Sequence, residues 1–256
     1  MLILGSGSGV NQAAMAPPLP FIRAGVVAAL PAEGRCLTKQ KLRPGSDVSL
    51  AGALRLQLSG IGPEHARRAA ENLLSTGAQA LISWGVAGGL APHLEAGVLL
   101  LPQRVQYLEG EEYWVDPHWR QCLLDRLEDK LTLSSAPLHH TETVLSSPEE
   151  KARLYRHSGC VAVDMESVAV GKVANQAGVP FLVIRAIADP AQIALPATAL
   201  SALNTQGRLQ PLALLASLFS RPGDVLGLWQ LAKHFRAARA TLQTVVAQVG
   251  PTLLAP

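Results

Sequence analysis

The chain is 256 residues long, 48% hydrophobic, 16% charged and 4% aromatic, with a formal net charge of +3. A chain of that length and apolar content can bury the full core of a single α/β domain. So weak a charge field, with so few aromatic platforms, argues against a nucleic-acid partner.

In chain order, residues 1–22 hold a Gly-Ser-Gly-Ser-Gly run and a proline cluster, with no basic residue and no long apolar stretch. They read as a flexible leader, neither a signal peptide nor a membrane span. One domain is expected over 23–256, with 190–256 as a C-terminal helical extension. Strands are predicted near Gly25 to Leu30, Leu54 to Leu58, Ala80 to Trp84, Gly97 to Val105 and Phe181 to Ile187. Helices are predicted near Glu64 to Thr76, Pro117 to Leu131, Pro148 to Arg156 and Met165 to Ala177. The alternation predicts an α/β fold, a three-layer α/β/α sandwich around a mixed sheet. Asp116-Pro117 and Ser147-Pro148-Glu149-Glu150 are helix entries, a capping side chain followed by proline at the first helical position.

Two glycine clusters follow strands. Ser59-Gly60-Ile61-Gly62-Pro63 leaves the alternating run Leu54, Leu56, Leu58 and opens a helix at Pro63. Trp84-Gly85-Val86-Ala87-Gly88-Gly89-Leu90 follows Ala80 to Ser83. Either segment lets the backbone approach a small anionic or hydroxylated ligand, and either serves equally as a tight turn.

The acids carry more chemistry. Asp164 and Glu166 fall in the first turn of the helix predicted up to Ala177, where the dipole favours negative charge in any protein. Asp189 follows the apolar run Pro180 to Ile187, and Pro190 turns the chain into a loop there. A carboxylate is thereby offered at the carboxyl edge of a sheet, where open α/β folds bind ligands. Such a group donates a proton near neutral pH only when burial or a neighbouring charge raises its pKa.

The three cysteines, Cys36, Cys122 and Cys160, lack metal spacing and leave one thiol over under any pairing, which fits a reducing cytoplasm. Cys122 reads as a packed helical residue. Adjacent His139 and His140 point apart on a strand with no third ligand in reach, so no metal and no cofactor is expected. From Leu209 to Trp229 the chain is mostly apolar, and Arg208, Arg221, Lys233, Arg236 and Arg239 are opposed only by Asp224. That stretch suits an anionic lipid surface, a pocket for an apolar substrate, or two ordinary closing helices.

In order and spacing these segments resemble the purine and uridine phosphorylases and the methylthioadenosine/adenosylhomocysteine nucleosidases, from about Ala24 to Ala191. The resemblance implies a nucleoside phosphorylase-like fold and cleavage of an N-ribosyl bond. Ala29-Leu30-Pro31-Ala32-Glu33 looks like the strand exit where the nucleosidases carry a water-activating glutamate. Ser59 to Gly62 and Gly85 to Gly89 look like the ribose and nucleophile loops. Met165 and Glu166 match the pair that backs the ribose and binds its hydroxyls, and Asp189 matches the acid that protonates the purine. The resemblance thus makes Asp189 and Glu33 catalytic, and makes Met165, Glu166, Gly88, Val144, Ser59, Gly62 and Arg185 substrate-binding. Val86 stands where the family usually has serine and cannot hydrogen-bond phosphate through its side chain. Val144 stands at the base-stacking phenylalanine, and Ala188 replaces a common serine. Arg35 is a further candidate for an anion site, with a plain surface arginine as the alternative.

Ala186 to Ala191, Ala194-Leu195-Pro196, Gly207-Arg208-Leu209 and Ser220-Arg221-Pro222-Gly223 are similar to the hopanoid-associated phosphorylase branch, which is implicated in removing adenine from adenosylhopane. This implies a nucleoside substrate linked to a lipid, water or phosphate as acceptor, peripheral membrane contact and a homo-oligomer. The alternatives are a methylthioadenosine-type nucleosidase, a general purine phosphorylase, or a nucleoside- or lipid-binding protein without turnover.

Overall fold

The computed structural model describes residues 23–43, 45–50, 54–107, 110–196, 198–199, 223–250 and 253. The expected leader, and the apolar tail from Leu209 to Pro222 with its Arg221, lie outside the described residues. The elements run β1 (Ala24–Ala28), α1 (Pro31–Gly34), β2 (Asp47–Ser49), β3 (Leu54–Leu58), α2 (Pro63–Ser75), β4 (Ala80–Gly89), β5 (Leu99–Leu100), β6 (Arg104–Tyr107), β7 (Glu111–Trp114), α3 (Pro117–Leu127), β8 (Leu133–Ser134) and β9 (Leu138–His140). They continue with α4 (Pro148–Ser158), β10 (Ala162–Asp164), α5 (Ser167–Ala177), β11 (Phe181–Asp189) and α6 (Asp224–Val249).

The apolar runs determine the layers. β1 and the first eight residues of β11 are buried throughout, as strands covered on both faces must be. On one face Val26, Leu56, Ile82 and Ile184 pack against Trp119, Leu123, Leu242 and Val245 of α3 and α6. On the other, Val27, Leu81 and Val183 pack against Ala66, Ala70 and Leu73 of α2 and Val170 and Val173 of α5. Each such aliphatic side chain gains roughly 1.5–3 kcal/mol from burial, which fixes the strand ends that build the site.

The mixed sheet runs β2-β3-β1-β4-β10-β9-β6-β7, with β11 beside β4 and β5. β3, β1, β4 and β11 are parallel, whereas β10 is antiparallel to β4. β4 changes partner along its length. Ala80 to Trp84 pair with β1, and Gly88 and Gly89 pair with β10.

Several expectations are corrected. The segment Gly85 to Gly89 is strand, not loop, because β11 continues beside it to Asp189. The strand expected over Gly97 to Val105 divides into β5 and β6 around Pro102, which has no amide to donate. The helix expected from Met165, α5, begins at Ser167, so Asp164 ends β10, Met165 lies between the elements and Glu166 is the N-cap. Cys122 is exposed, because α3 turns Trp119, Leu123 and Leu127 inward and leaves it on the opposite side. The helix entries are as expected: Asp116 accepts the Trp119 amide at 2.8 Å, and Ser147 and Glu150 form a capping box.

Candidate active site

β1 and the antiparallel β10 approach successive parts of β4 from opposite directions, and where they end, together with the last residues of β4 and β11, Glu33, Gly88, Asp164, Glu166 and Asp189 are brought together. Glu33 arrives through α1. Pro31 starts that single turn, and the Glu33 side chain folds back so that Oε2 accepts the amides of Ala29 at 3.0 Å and Leu30 at 2.8 Å. Beyond Trp84 the strand β1 no longer flanks β4, and the Val86 amide donates to Glu33 Oε1 at 2.9 Å. The carboxylate thus completes the backbone of β4 where its neighbouring strand ends. Glycine is required beside it: a Cβ on Gly85 would sit 2.5 Å from Arg185 Nη1 and as close to Glu33.

Arg185 is the hub of the cluster. It is 1% exposed, and its Nη2 contacts Asp164 Oδ2 at 2.7 Å, Ser83 Oγ at 2.7 Å and Glu166 Oε2 at 3.8 Å. Ser167 Oγ lies 2.9 Å from Ser83 Oγ and donates to Asp164. Asp164 Oδ1 also takes the Ser167 amide at 3.2 Å, which anchors the start of α5. Glu166 Oε1 accepts the Gly62 amide at 2.9 Å, tying the first glycine loop to the second acid. Three buried carboxylates therefore face one guanidinium. Burial raises the Glu33 pKa against the opposing pull of Arg185 and three amides. Burial likewise pushes Glu166 up to about 7, with Arg185 opposing and Asp164 adding to the rise. Arg185, expected on the substrate, is buried and engages Asp164, Glu166 and Ser83.

Asp189 is the last residue of β11, after a register shift at Ala188. Its surroundings are sparser. Oδ2 meets Lys151 Nζ at 2.7 Å, and Oδ1 is buried with no hydrogen-bond partner among the described residues. Burial raises the Asp189 pKa, with Lys151 and then His234 working against it. The register sets Asp189 on one side of Gly88 and Val163 on the other, about 10 Å apart across two strand spacings. A side chain on Gly88 would crowd this floor, since its Cβ would lie 3.2 Å from Val163 Cγ1 and 3.7 Å from Asp189 Oδ2.

Of the remaining candidates, Gly62 contributes its amide, and Met165 is half-buried beside Glu166. Ser59 Oγ lies 2.7 Å from Gly60 O and 3.3 Å from Ala28 O, so its hydroxyl serves its own loop. Val144 is 49% exposed and Arg35 is exposed. Sequence reasoning missed Asp164 as the ion-pair partner of Arg185, the serines Ser83 and Ser167, and Lys151. A lysine at the fourth position of a helix after two glutamates gives no sign of burial. Among the described residues no three His, Cys, Asp or Glu side chains gather as a metal site. His139 and His140 are buried with Nδ1 unpaired, and burial holds both below the usual histidine range. Two clefts of about 190 and 200 Å³, one lined by Tyr113, Asp116 and Phe181 and the other by Arg23, Arg55 and Gly77, lie at the opposite ends of the strands.

The Phosphorylase superfamily model matches residues 49–211. The 5'-methylthioadenosine/S-adenosylhomocysteine nucleosidase of Neisseria meningitidis, solved with methylthio-immucillin-A, is 19% identical, with 88% of this chain and 97% of that chain covered and a TM-score of 0.65. Futalosine hydrolase of Helicobacter pylori is 18% identical over 89% of this chain and 98% of its own, with a TM-score of 0.63. The Colwellia psychrerythraea nucleosidase, solved with adenine, is 16% identical over 92% and 95%, with a TM-score of 0.64. At these identities the similarity shows the nucleosidase-type fold.

Proposed function

The chain belongs to the phosphorylase superfamily, and on that premise we propose that it is a nucleosidase that hydrolyses the N-ribosyl bond of an adenine nucleoside. The observation that carries this reading is the pair of oxygens on Asp189: one bound to Lys151, the other buried, unpaired and across Gly88 from the Glu166 side. A protonated Oδ1 there supplies the proton a departing purine needs, a contribution of roughly 10²- to 10⁴-fold. Glu166, ionised, accepts the ribose hydroxyls, and its charge favours the oxocarbenium-like transition state. Met165 backs the sugar.

Glu33 supports water over phosphate as acceptor. Its carboxylate already occupies the Val86 amide, so an incoming phosphate meets a fixed negative charge where it needs a donor. One lone pair of Oε1 remains to take a proton from water. The raised pKa of Glu33 makes it a better base than an ordinary glutamate.

For the 5' side we assign a large apolar substituent, as in adenosylhopane. The first turns of α6 support this, exposing Val225, Leu226 and Trp229 with the Lys233 ammonium 5.9 Å from the Trp229 ring centre. That face also suits contact with a lipid surface. Among the described residues no helix is long and apolar enough to cross a membrane. A homo-oligomer is part of the same proposal.

The test is adenine release from adenosine, from methylthioadenosine and from an adenosine bearing a bulky apolar 5' group. The expected result is release that is fastest with the bulky substrate and lowered by roughly 10²- to 10⁴-fold in Asp189→Ala. Equal release from all three would overturn the 5' assignment, and no release from any would overturn the nucleosidase reading.

A further inference from the structure

Lys151 sits on α4 and is 0% exposed, an unusual position for a lysine. Its ammonium has three protons and three oxygen partners. These are Asp189 Oδ2 at 2.7 Å, the Ile193 carbonyl at 2.8 Å and the Pro190 carbonyl at 3.1 Å. All three acceptors belong to the end of β11 and the loop that follows, so one side chain fastens that loop to α4. The helix that carries it is held by its own capping box at Ser147 and Glu150, which gives the lysine a rigid base.

We propose that Lys151 is the positioning residue for Asp189. It occupies Oδ2, leaves Oδ1 alone to carry the proton to the base, and offsets the negative charge that appears on the carboxylate as the proton departs. The proposal rests on the nucleosidase reading above. In the step, the proton on Asp189 Oδ1 moves to a purine ring nitrogen and the electron pair of the breaking C1'–N bond stays with the base. The water oxygen bonds to C1' and its proton passes to Glu33. Asp189 ends anionic beside the Lys151 ammonium and regains its proton from solvent after release. The cation assists most after proton transfer, so its contribution belongs to the transition state more than to substrate binding. Burial opposes it by favouring the protonated acid, and Asp189 stands on balance above the ordinary aspartate range. Among the described residues the charged and titratable groups facing Asp189 are Lys151 from α4 and His234 from α6, both of which lower its pKa.

The experiment is the pH profile of kcat and KM for adenine release by Lys151→Met, alone and combined with Asp189→Asn. Removing the cation should lower kcat by about 10- to 100-fold with little change in KM. It should also move the alkaline limb of the profile up by about 1–3 pH units, because the acid then holds its proton longer. In the Asp189→Asn background the same change should cost nothing further. Lys151→Gln keeps donors for the two carbonyls and should show the same shift, which covers the case where the methionine variant is unstable. An unmoved alkaline limb in folded variants, or an equal loss in the Asp189→Asn background, would overturn the proposal and leave the nucleosidase reading intact. Failure of the unmodified chain to release any base would instead remove the reading itself.

Discussion

The two ends of the candidate site are built on opposite plans. Around Arg185 the acids are braced from every side: Glu33 accepts three amides, Asp164 takes a guanidinium, a hydroxyl and an amide, and Glu166 takes the Gly62 amide. At Asp189 one oxygen is held and the other is left without a partner in a buried position. A carboxylate braced by several donors is held in place to orient what it touches, whereas one with a free buried oxygen keeps a place for a proton to be given away. The braced end therefore suits the sugar and the water, and the open end suits the base.

The contrast can be broken at either end. Asp189→Asn, which retains shape and cannot act as an acid, should lower kcat by about 10³-fold with the fold intact by circular dichroism. Arg185→Met should damage stability first. It leaves three buried carboxylates without their cation, a loss of about 3–5 kcal/mol that is read as a large fall in the thermal unfolding midpoint. Gly85→Ala places a methyl against Glu33 and Arg185 and should cost about 1–3 kcal/mol, with activity falling as those side chains are displaced.

Glu166→Gln sharpens the comparison because it separates function from stability. On the proposed function it is ionised Glu166 that binds ribose, so the variant should raise KM by about 10-fold or more. The wild-type KM should likewise rise as pH falls through about 7. Stability runs the other way. The folded protein keeps a proton on Glu166 up to about 7, while the unfolded chain loses it near 4.5, so stability falls between those pH values and then levels. Glutamine keeps an oxygen for the Gly62 amide without the charge. It should raise the unfolding midpoint by on the order of 5 °C at pH 8 and by little at pH 4. The smallest effect should come from Val144→Phe. A ring at this half-exposed position adds a surface for the base and should lower KM by a few-fold at most.

Much of this was legible in the chain. The apolar runs of β1, β4 and β11 and the proline helix entries gave the layered fold, since burial on both faces and capping are local properties. The short strands β2, β7, β8 and β10 were missed, because two to four residues carry too little pattern and owe their geometry to pairing, whereas the strand read at His139 and His140 is β9. Gly85 to Gly89 read as a loop because glycine disfavours strand in isolation, yet the neighbouring strand β11 holds it extended. The acids Glu33, Glu166 and Asp189 were named from family resemblance; in the structure each follows or ends a strand, β1, β10 and β11, that borders β4. Their supports were not visible. Lys151 looks like an ordinary charged residue until the fold buries it, Arg185 was named for the substrate and not as a support of the acids, and its pairing with Asp164 spans residues that no local pattern joins.

The most direct test is the mass of the sugar product formed from methylthioadenosine in phosphate buffer made with ¹⁸O-water. Hydrolysis supported by Glu33 predicts free methylthioribose with ¹⁸O at the anomeric carbon and no phosphate ester at the first turnover. A sugar 1-phosphate without the label would contradict it, and would mean that phosphate reaches C1' despite the carboxylate that occupies the Val86 amide.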